Sequence, residues 1–107
     1  MLKQNVGLSE ETIQKIQSIF SKYAEVKKVI LYGSRALGNF KNGSDIDLTI
    51  DSSELTLTIL LKIENELDDL LLPYKIDLSI MQKIDNDNLI DHIKRAGIIF
   101  YQNEELL

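Results

Sequence analysis

The sequence predicts an α/β (α+β) fold in which a mixed β-sheet packs helices on one face and carries a polar site on the other. Two segments, 45–51 and 74–80, alternate apolar and polar residues, which is typical of strands buried on one face only. A third segment, 28–32, is apolar on both faces, which suits a central strand. Segments with helical spacing lie before, between and after these strands, so the predicted order is α-β-α-β-α-β-α-β.

Local signals set the expected bounds of these elements. Ser9 fits the N-cap position of the first helix, Pro73 stops the third helix, and Gly97 ends the fourth. We expect residues 1–8 to form a loose leader. The predicted helices are 10–23, 34–38, 54–71 and 87–96, and the predicted strands are 28–32, 45–51, 74–80 and 98–101.

Length and composition predict one domain, residues 1–107 with a core at about 9–101, and they limit its partners. The chain has no cysteine, which excludes disulfides and thiolate metal sites. Its net charge is −5 and its lysines and arginines are scattered, so no direct nucleic-acid binding is expected. No apolar run is long enough for a membrane helix and no signal-peptide pattern is present, which predicts a cytoplasmic protein without a membrane partner.

The most informative segment runs from Gly33 to Asp47 and has the sequence GSRALGNFKNGSDID. If 45–51 is a strand, Asp45 and Asp47 share a face, because side chains two residues apart point the same way. Two carboxylates about 4 Å apart repel each other by roughly 4 kcal/mol at an effective dielectric constant near 20. A bound Mg²⁺ removes that repulsion and also takes phosphate oxygens as ligands.

Gly33 and Ser34 directly follow the strand 28–32 and open a short predicted helix. Glycine permits a sharp turn and the close approach of a ligand, and the free N–H groups of such a turn point towards an anion. A phosphate-binding turn close in sequence to Asp45 and Asp47 predicts a site for a nucleotide with magnesium.

The motif GSRALG at 33–38, followed after five residues by SDIDL at 44–48, resembles the signature of the DNA polymerase β-type nucleotidyltransferases. Over about residues 9–101 the chain resembles their stand-alone minimal members, the MNT proteins. Many MNT proteins are encoded beside a HEPN-domain protein and act as its antitoxin. Leu37 stands where the family often has a second arginine, so one cationic contact of the family is not expected here.

The resemblance implies transfer of a nucleoside monophosphate, AMP from ATP, to a hydroxyl with the help of two Mg²⁺ ions. In the family, a strand with a single aspartate supplies a third carboxylate, and Asp77 matches it by position and pattern; a solvated strand residue is the alternative. A structural role for Arg35 stays open. The implied catalytic and metal-binding residues are Asp45, Asp47 and Asp77, and the implied nucleotide-binding residues are Gly33, Ser34 and Arg35.

The residues alone do not identify the acceptor. For an MNT protein the resemblance implies a tyrosine of a HEPN-domain partner. Two alternatives remain open: a noncatalytic antitoxin that binds its partner through the helix 54–71, and a transferase with a small-molecule acceptor. The apolar arc of that helix is wide, because Leu57 and Leu61 lie beyond its core stripe, although a deeply buried helix has the same pattern.

His92 is the only histidine and lies on the predicted helix 87–96, where we expect a surface or partner-contact residue rather than a catalyst. With one histidine and no cysteine, a zinc site is not expected. Asp85 and Asp87 have the spacing that starts a calcium loop, but Leu89 occupies the next ligand position. The predicted metal ligands remain Asp45 and Asp47, with Asp77 as the third ligand that the resemblance implies.

Overall fold

The computed structural model describes Leu2 and residues 4–103 of the chain. Its elements follow the predicted order, with one short 3₁₀ turn at Met81–Lys83 that the sequence did not predict. The helices are α1 (Glu10–Ser21), α2 (Ser34–Leu37), α3 (Leu57–Asp68) and α4 (Asp87–Ala96). The strands are β1 (Lys28–Tyr32), β2 (Ile46–Asp51), β3 (Ile76–Ile80) and β4 (Ile98–Gln102).

The four strands form one mixed sheet in the order β3-β2-β1-β4. β1 pairs antiparallel with both β2 and β4, and β2 pairs parallel with β3. The strands expected to carry the three aspartates and the turn are therefore neighbours, as the sequence predicted, and the predicted mixed-sheet fold is confirmed.

The main core lies between one face of the sheet and the helices α1 and α3. The apolar side chains of the strands alternate towards this face, which explains why their polar neighbours point away from it. Burial is complete at the centre of the core, where the fully buried residues include Ile16, Phe20, Leu31, Leu48, Ile50 and Ile63.

Helix α4 packs on the opposite face, where the sequence predicted an open site and placed no helix specifically. The His92 ring contacts the ring of Tyr32, and Gly97 lies so close to Ile30 that a Cβ on the glycine would overlap that side chain. Ile30 and Tyr32 point away from the main core because they alternate with Leu31. Ile93 of α4 is buried on this second face.

Helix α3 is shorter than the predicted helix 54–71. It begins after Thr56, whose side chain accepts a hydrogen bond from the N–H of Ile59, so the cap sets the start later than the apolar pattern indicates. It ends before Leu71, which has a φ of 54° and is therefore in the left-handed region. The periodic leucines continue past the end of the helix, and this misled the sequence-based bounds.

Residues 6–8 are anchored to the domain, so the predicted loose leader is wrong for them; residues 1 and 3 lie outside the described part of the chain. Val6 is buried in the core cluster, and the carbonyls of Val6 and Gly7 accept hydrogen bonds from Arg35. No helix formed by Leu2 and residues 4–103 is long and apolar enough to cross a membrane.

Candidate active site

Tyr32, Asp47 and Asp77 form one row across three neighbouring strands. Asp47 is the Cα partner of Tyr32 on the antiparallel strand β1 and of Asp77 on the parallel strand β3. Side chains directly opposite each other on paired strands point to the same face. The structure thus brings Asp47 and Asp77 side by side on the face away from the main core.

Asp45 lies next to this row but outside the strand. β2 begins at Ile46, so the predicted strand 45–51 is one residue too long at its start, and the side chain of Asp45 is exposed. Its negative charge still raises the pKa of Asp47. The three predicted acidic residues are therefore electrostatic neighbours, although Asp45 does not belong to the strand.

The environment of Asp47 disfavours its negative charge. Partial burial of the carboxyl raises the pKa of Asp47 above its ordinary value, and repulsion by Asp77 and then by Asp45 raises it further. The positive charge of Arg35 lowers the pKa and offsets part of this increase. A cation bound beside Asp47 would remove the same repulsion.

Tyr32 closes the row on the β1 side. Burial raises the pKa of its phenol, a hydrogen bond with Ser79 lowers it, and the charges of Asp77 and Asp47 raise it again. The hydroxyl of Ser79 donates to the hydroxyl of Thr49 over 2.9 Å. Tyr32 therefore lies beside both the carboxylates and the hydroxyl groups of this sheet face.

Gly33 connects β1 to α2 and packs directly on the carboxylate of Asp47. Its φ of 78° and ψ of −155° belong to a backbone region that residues other than glycine rarely adopt. A Cβ at this position would overlap Oδ2 of Asp47. The turn and the carboxylate can therefore be this close only because residue 33 is glycine.

Arg35 is buried, with 2% of its surface exposed, and its contacts favour the structural role that the sequence left open. Its guanidinium donates to the carbonyls of Val6, Gly7 and Ser44, with the shortest bond, Nη2 to Ser44 O, at 2.8 Å. It also lies over the rings of Phe40 and Tyr74, 5.4 and 4.9 Å from the ring centroids. One buried cation thus links the leader to the backbone that precedes Asp45.

His92 is a site residue that sequence reasoning placed elsewhere. It is half-buried rather than on the surface, and its Nε2 accepts a hydrogen bond from the N–H of Gly33 over 3.1 Å. Its ring meets the Tyr32 ring edge-on with the centroids 6.2 Å apart. The only sequence signal was its position one residue before the buried Ile93, which does not indicate what the ring contacts.

The three carboxylates are of the type that binds a hard divalent cation, but in this structure they are not arranged as a complete coordination site. Among Leu2 and residues 4–103, no three Asp, Glu, His or Cys side chains converge closely enough to hold an ion as they stand. Carboxylate oxygens are the ligands that Mg²⁺ prefers, and the exposed side chains of Asp45 and Asp77 can change rotamer readily. The repulsion at Asp47 is the observation that favours a cation here.

The sequence profile of the family described as Polymerase beta, Nucleotidyltransferase matches residues 14–106. The chain belongs to this family. The match spans β1, the Gly33 turn, β2 and β3, which are the elements that build the row of carboxylates. The resemblance indicated by GSRALG and SDIDL is therefore confirmed.

A protein of Methanocaldococcus jannaschii, MJ1217, is similar in sequence. It is 37% identical over 78 residues, which is 72% of this chain and 79% of the relative. The name of that relative provisionally assigns it protein adenylyltransferase activity.

Several solved toxin–antitoxin structures contain chains with this nucleotidyltransferase fold. A chain of a toxin–antitoxin complex with AMP-PNP superimposes with a TM-score of 0.66 at 19% identity, covering 92% of this chain and 77% of the other. A chain of the MntA–HepT toxin–antitoxin superimposes with a TM-score of 0.65 at 15% identity, covering 91% of this chain and 75% of the other. A chain of the tri-AMPylated Shewanella oneidensis HEPN toxin in complex with MNT antitoxin superimposes with a TM-score of 0.65 at 15% identity, covering 92% of this chain and 76% of the other. These likenesses confirm the predicted polymerase β-type fold.

Proposed function

We propose that this nucleotidyltransferase is a Mg-dependent protein adenylyltransferase. It moves AMP from ATP onto a hydroxyl of a HEPN-domain partner, a tyrosine being the expected acceptor, and in this way acts as an antitoxin. The catalytic residues are Asp45, Asp47 and Asp77, and the nucleotide-binding residues are Gly33 and Ser34.

One observation carries the proposal: Asp47 touches both halves of the site. It lies in register with Asp77 on β3, and Gly33 packs against its Oδ2. A phosphate held at the Gly33–Ser34 turn and a cation held by Asp47 would therefore be immediate neighbours, which a nucleotide with magnesium requires.

Asp45 and Asp47 share one part in this proposal, and Asp77 has another. Asp45 and Asp47 would hold the Mg²⁺ that accompanies the triphosphate, and together with Asp77 they would hold a second ion. The two ions, when bound, make the acceptor hydroxyl more acidic and neutralise charge on the leaving group. Arg35 is not assigned to the nucleotide, because its N–H groups already bind backbone carbonyls.

The transfer requires no reactant other than ATP and the acceptor hydroxyl. The acceptor oxygen bonds to the α-phosphorus of ATP while the bond from that phosphorus to the β-phosphate bridging oxygen breaks, and pyrophosphate leaves. Asp77 takes the acceptor proton on its carboxylate. β3 is an edge strand and Asp77 is exposed, so a protein acceptor can reach it.

The partner is proposed from the relatives and from the open site. The similar sequence is named for protein adenylylation, and the similar structures include an AMP-PNP complex and an AMPylated HEPN toxin with its MNT antitoxin. The acceptor would come from a HEPN-domain protein encoded beside this chain.

A noncatalytic antitoxin is the second candidate. Leu57 and Leu61 on α3 are 58% and 52% exposed, so the wide apolar arc of this helix is partly at the surface. Such residues can contact a partner protein. In that case binding alone would neutralise the partner.

Calorimetry with ATP and Mg²⁺ tests the proposal. The wild type should bind Mg-ATP, and Asp45→Asn or Asp47→Asn should lose the part of the affinity that depends on the metal. Asp77→Asn should retain most of the binding and lose transfer. Asp85→Asn, a change of an exposed aspartate outside the site, is the matched control. Equal Mg-ATP affinity in the wild type and in Asp45→Asn/Asp47→Asn would contradict the proposal.

A further inference from the structure

His92 makes the one described side-chain contact to the backbone N–H of the Gly33 turn. The donor is the Gly33 N–H and the acceptor is Nε2, which requires a neutral ring with its proton on Nδ1. His92 lies 59 residues further along the chain, on another element. The bond therefore connects α4 to the turn on which the proposed nucleotide site depends.

Helix α4 is a firm support for this contact. Its N-terminus is capped by Asn86, whose side chain accepts from the N–H of Leu89, and Ile93 is buried beneath it. Gly97 at its end lets the helix approach Ile30 of β1 without a Cβ in between. Because α4 is capped and packed in this way, it keeps the side chain of His92 at a defined position relative to β1.

The turn itself is held from two sides. The carboxylate of Asp47 packs against the Cα of Gly33, and His92 binds its N–H. Glycine adopts the backbone conformation of residue 33 readily but can adopt many others as well, so the surrounding contacts must select this one. The edge-on contact with Tyr32, the Cα partner of Asp47, places the imidazole in the same cluster.

We propose that His92 is a positioning residue for the proposed adenylyl transfer, which fixes the Gly33–Ser34 turn against Asp47. Because His92 binds the Gly33 N–H, Gly33 contributes the shape of the nucleotide-binding turn, and the amide and hydroxyl of Ser34 are the groups that meet the phosphates. This role rests on the proposed function. It requires only the acceptor Nε2, and it requires no proton transfer by the ring.

The test compares two kinds of substitution at this position. His92→Phe keeps an aromatic ring against Tyr32 but has no acceptor, whereas His92→Gln keeps an acceptor on a flexible side chain. Lys94→Ala, a change of an exposed residue on the same helix, is the control. The measurements are Mg-ATP affinity by calorimetry, KM and kcat for transfer to the partner, and hydrogen exchange of the Gly33 amide.

We expect His92→Phe to weaken Mg-ATP binding and raise KM by about tenfold, the equivalent of about 1.4 kcal/mol. At saturating ATP its kcat should stay near that of the wild type, because the residue does not touch the reacting atoms. His92→Gln should recover part of the affinity, and Lys94→Ala should match the wild type. The Gly33 amide should be protected from exchange in the wild type and exposed in His92→Phe.

Three results would overturn this role: unchanged affinity in His92→Phe, a loss confined to kcat, or a freely exchanging Gly33 amide in the wild type. The last measurement needs no variant, so it decides even if the substitutions impair folding. A wild type that binds no Mg-ATP but protects the Gly33 amide would instead contradict the proposed function, and with it any role of His92 in transfer.

Discussion

Asp47 and Asp77 stand directly opposite each other on the parallel strands β2 and β3, and each bears a carboxylate on the same face of the sheet. The charge of Asp77 is the second largest cause of the raised pKa of Asp47, after burial. The fold thus holds two like charges together at a cost in stability. Such a cost is typical of functional sites, where a bound cation offsets it.

This relationship predicts that Asp47→Asn stabilises the metal-free protein near neutral pH. The folded-state pKa of Asp47 is raised, so the protonated carboxyl contributes stability below the ordinary value of 3.8, and this contribution is lost as the pH rises through the folded-state pKa. Above it, the ionised group opposes folding, and asparagine removes that charge. Thermal melting in EDTA from about pH 4 to about pH 8 should show the variant melting higher, with a difference that shrinks towards low pH.

The control for this experiment is Asp85→Asn, which removes one exposed negative charge outside the site. It should leave the melting temperature nearly unchanged. If Asp47→Asn melts below the wild type at neutral pH in EDTA, the carboxylate is a net stabilising group, and the described repulsion does not govern the stability of the site.

The contact between Gly33 and Asp47 predicts a difference between two glycines. Both Gly33 and Gly38 have positive φ angles, 78° and 84°, but nothing lies within 4 Å of a Cβ built on Gly38. Gly38→Ala should therefore lower the free energy of unfolding by about 1 kcal/mol, which is the cost of backbone strain alone. Gly33→Ala has the additional overlap with Asp47 and should lose about 2 kcal/mol more, together with Mg-ATP binding. Urea unfolding and calorimetry measure the two effects; equal losses of stability would show that the overlap is relieved at no cost.

The buried contacts of Arg35 predict that its substitution greatly lowers stability, although arginine usually lies at the surface. Arg35→Met would leave the carbonyls of Val6, Gly7 and Ser44 without their donor, and we expect unfolding in urea to become easier by about 3 kcal/mol. Arg95→Met removes an exposed i,i+4 pair with Asp91 and should change stability by about 0.5 kcal/mol or less. A similar small change in Arg35→Met would contradict the structural role.

The sequence predicted the elements well where a local signal marks them. β1 and α4 have the predicted bounds, and Ser9 caps α1 as expected, because strand alternation and capping depend on neighbouring residues. The predicted start of α3 was too early because Thr56 caps the helix, and the predicted end was too late because the apolar periodicity continues past Asp68, where the helix ends. Such a pattern records burial and not only helix formation.

The site could be predicted only as far as the motif extends along the chain. Asp45, Asp47 and Asp77 followed from strand alternation and from the family resemblance. The contact of His92 with Gly33 could not be predicted, because it depends on where α4 packs on the sheet. Arg35 presented the same difficulty: its partners at Val6 and Ser44 are brought together only by the tertiary fold.

The exposed leucines of α3 predict how a partner is bound. Leu61→Asp changes a side chain that is 52% exposed, so it should leave the melting temperature of the isolated protein nearly unchanged and weaken partner binding. Ile63→Ala, at a fully buried position two residues along the same helix, should instead lower stability by about 2 kcal/mol or more. Undiminished partner binding by Leu61→Asp would remove this edge of α3 from the interface.

The most direct test of the account is the mass of the partner after incubation with this protein, ATP and Mg²⁺. The HEPN-domain protein should gain the mass of one or more adenylyl groups. Each group should be bound covalently to a hydroxyl side chain, so that buffer exchange does not remove it. Asp47→Asn should produce no gain. If the partner binds tightly and is neutralised, yet gains no mass with ATP or with any other nucleoside triphosphate, the protein acts by binding alone and the proposed transfer is wrong.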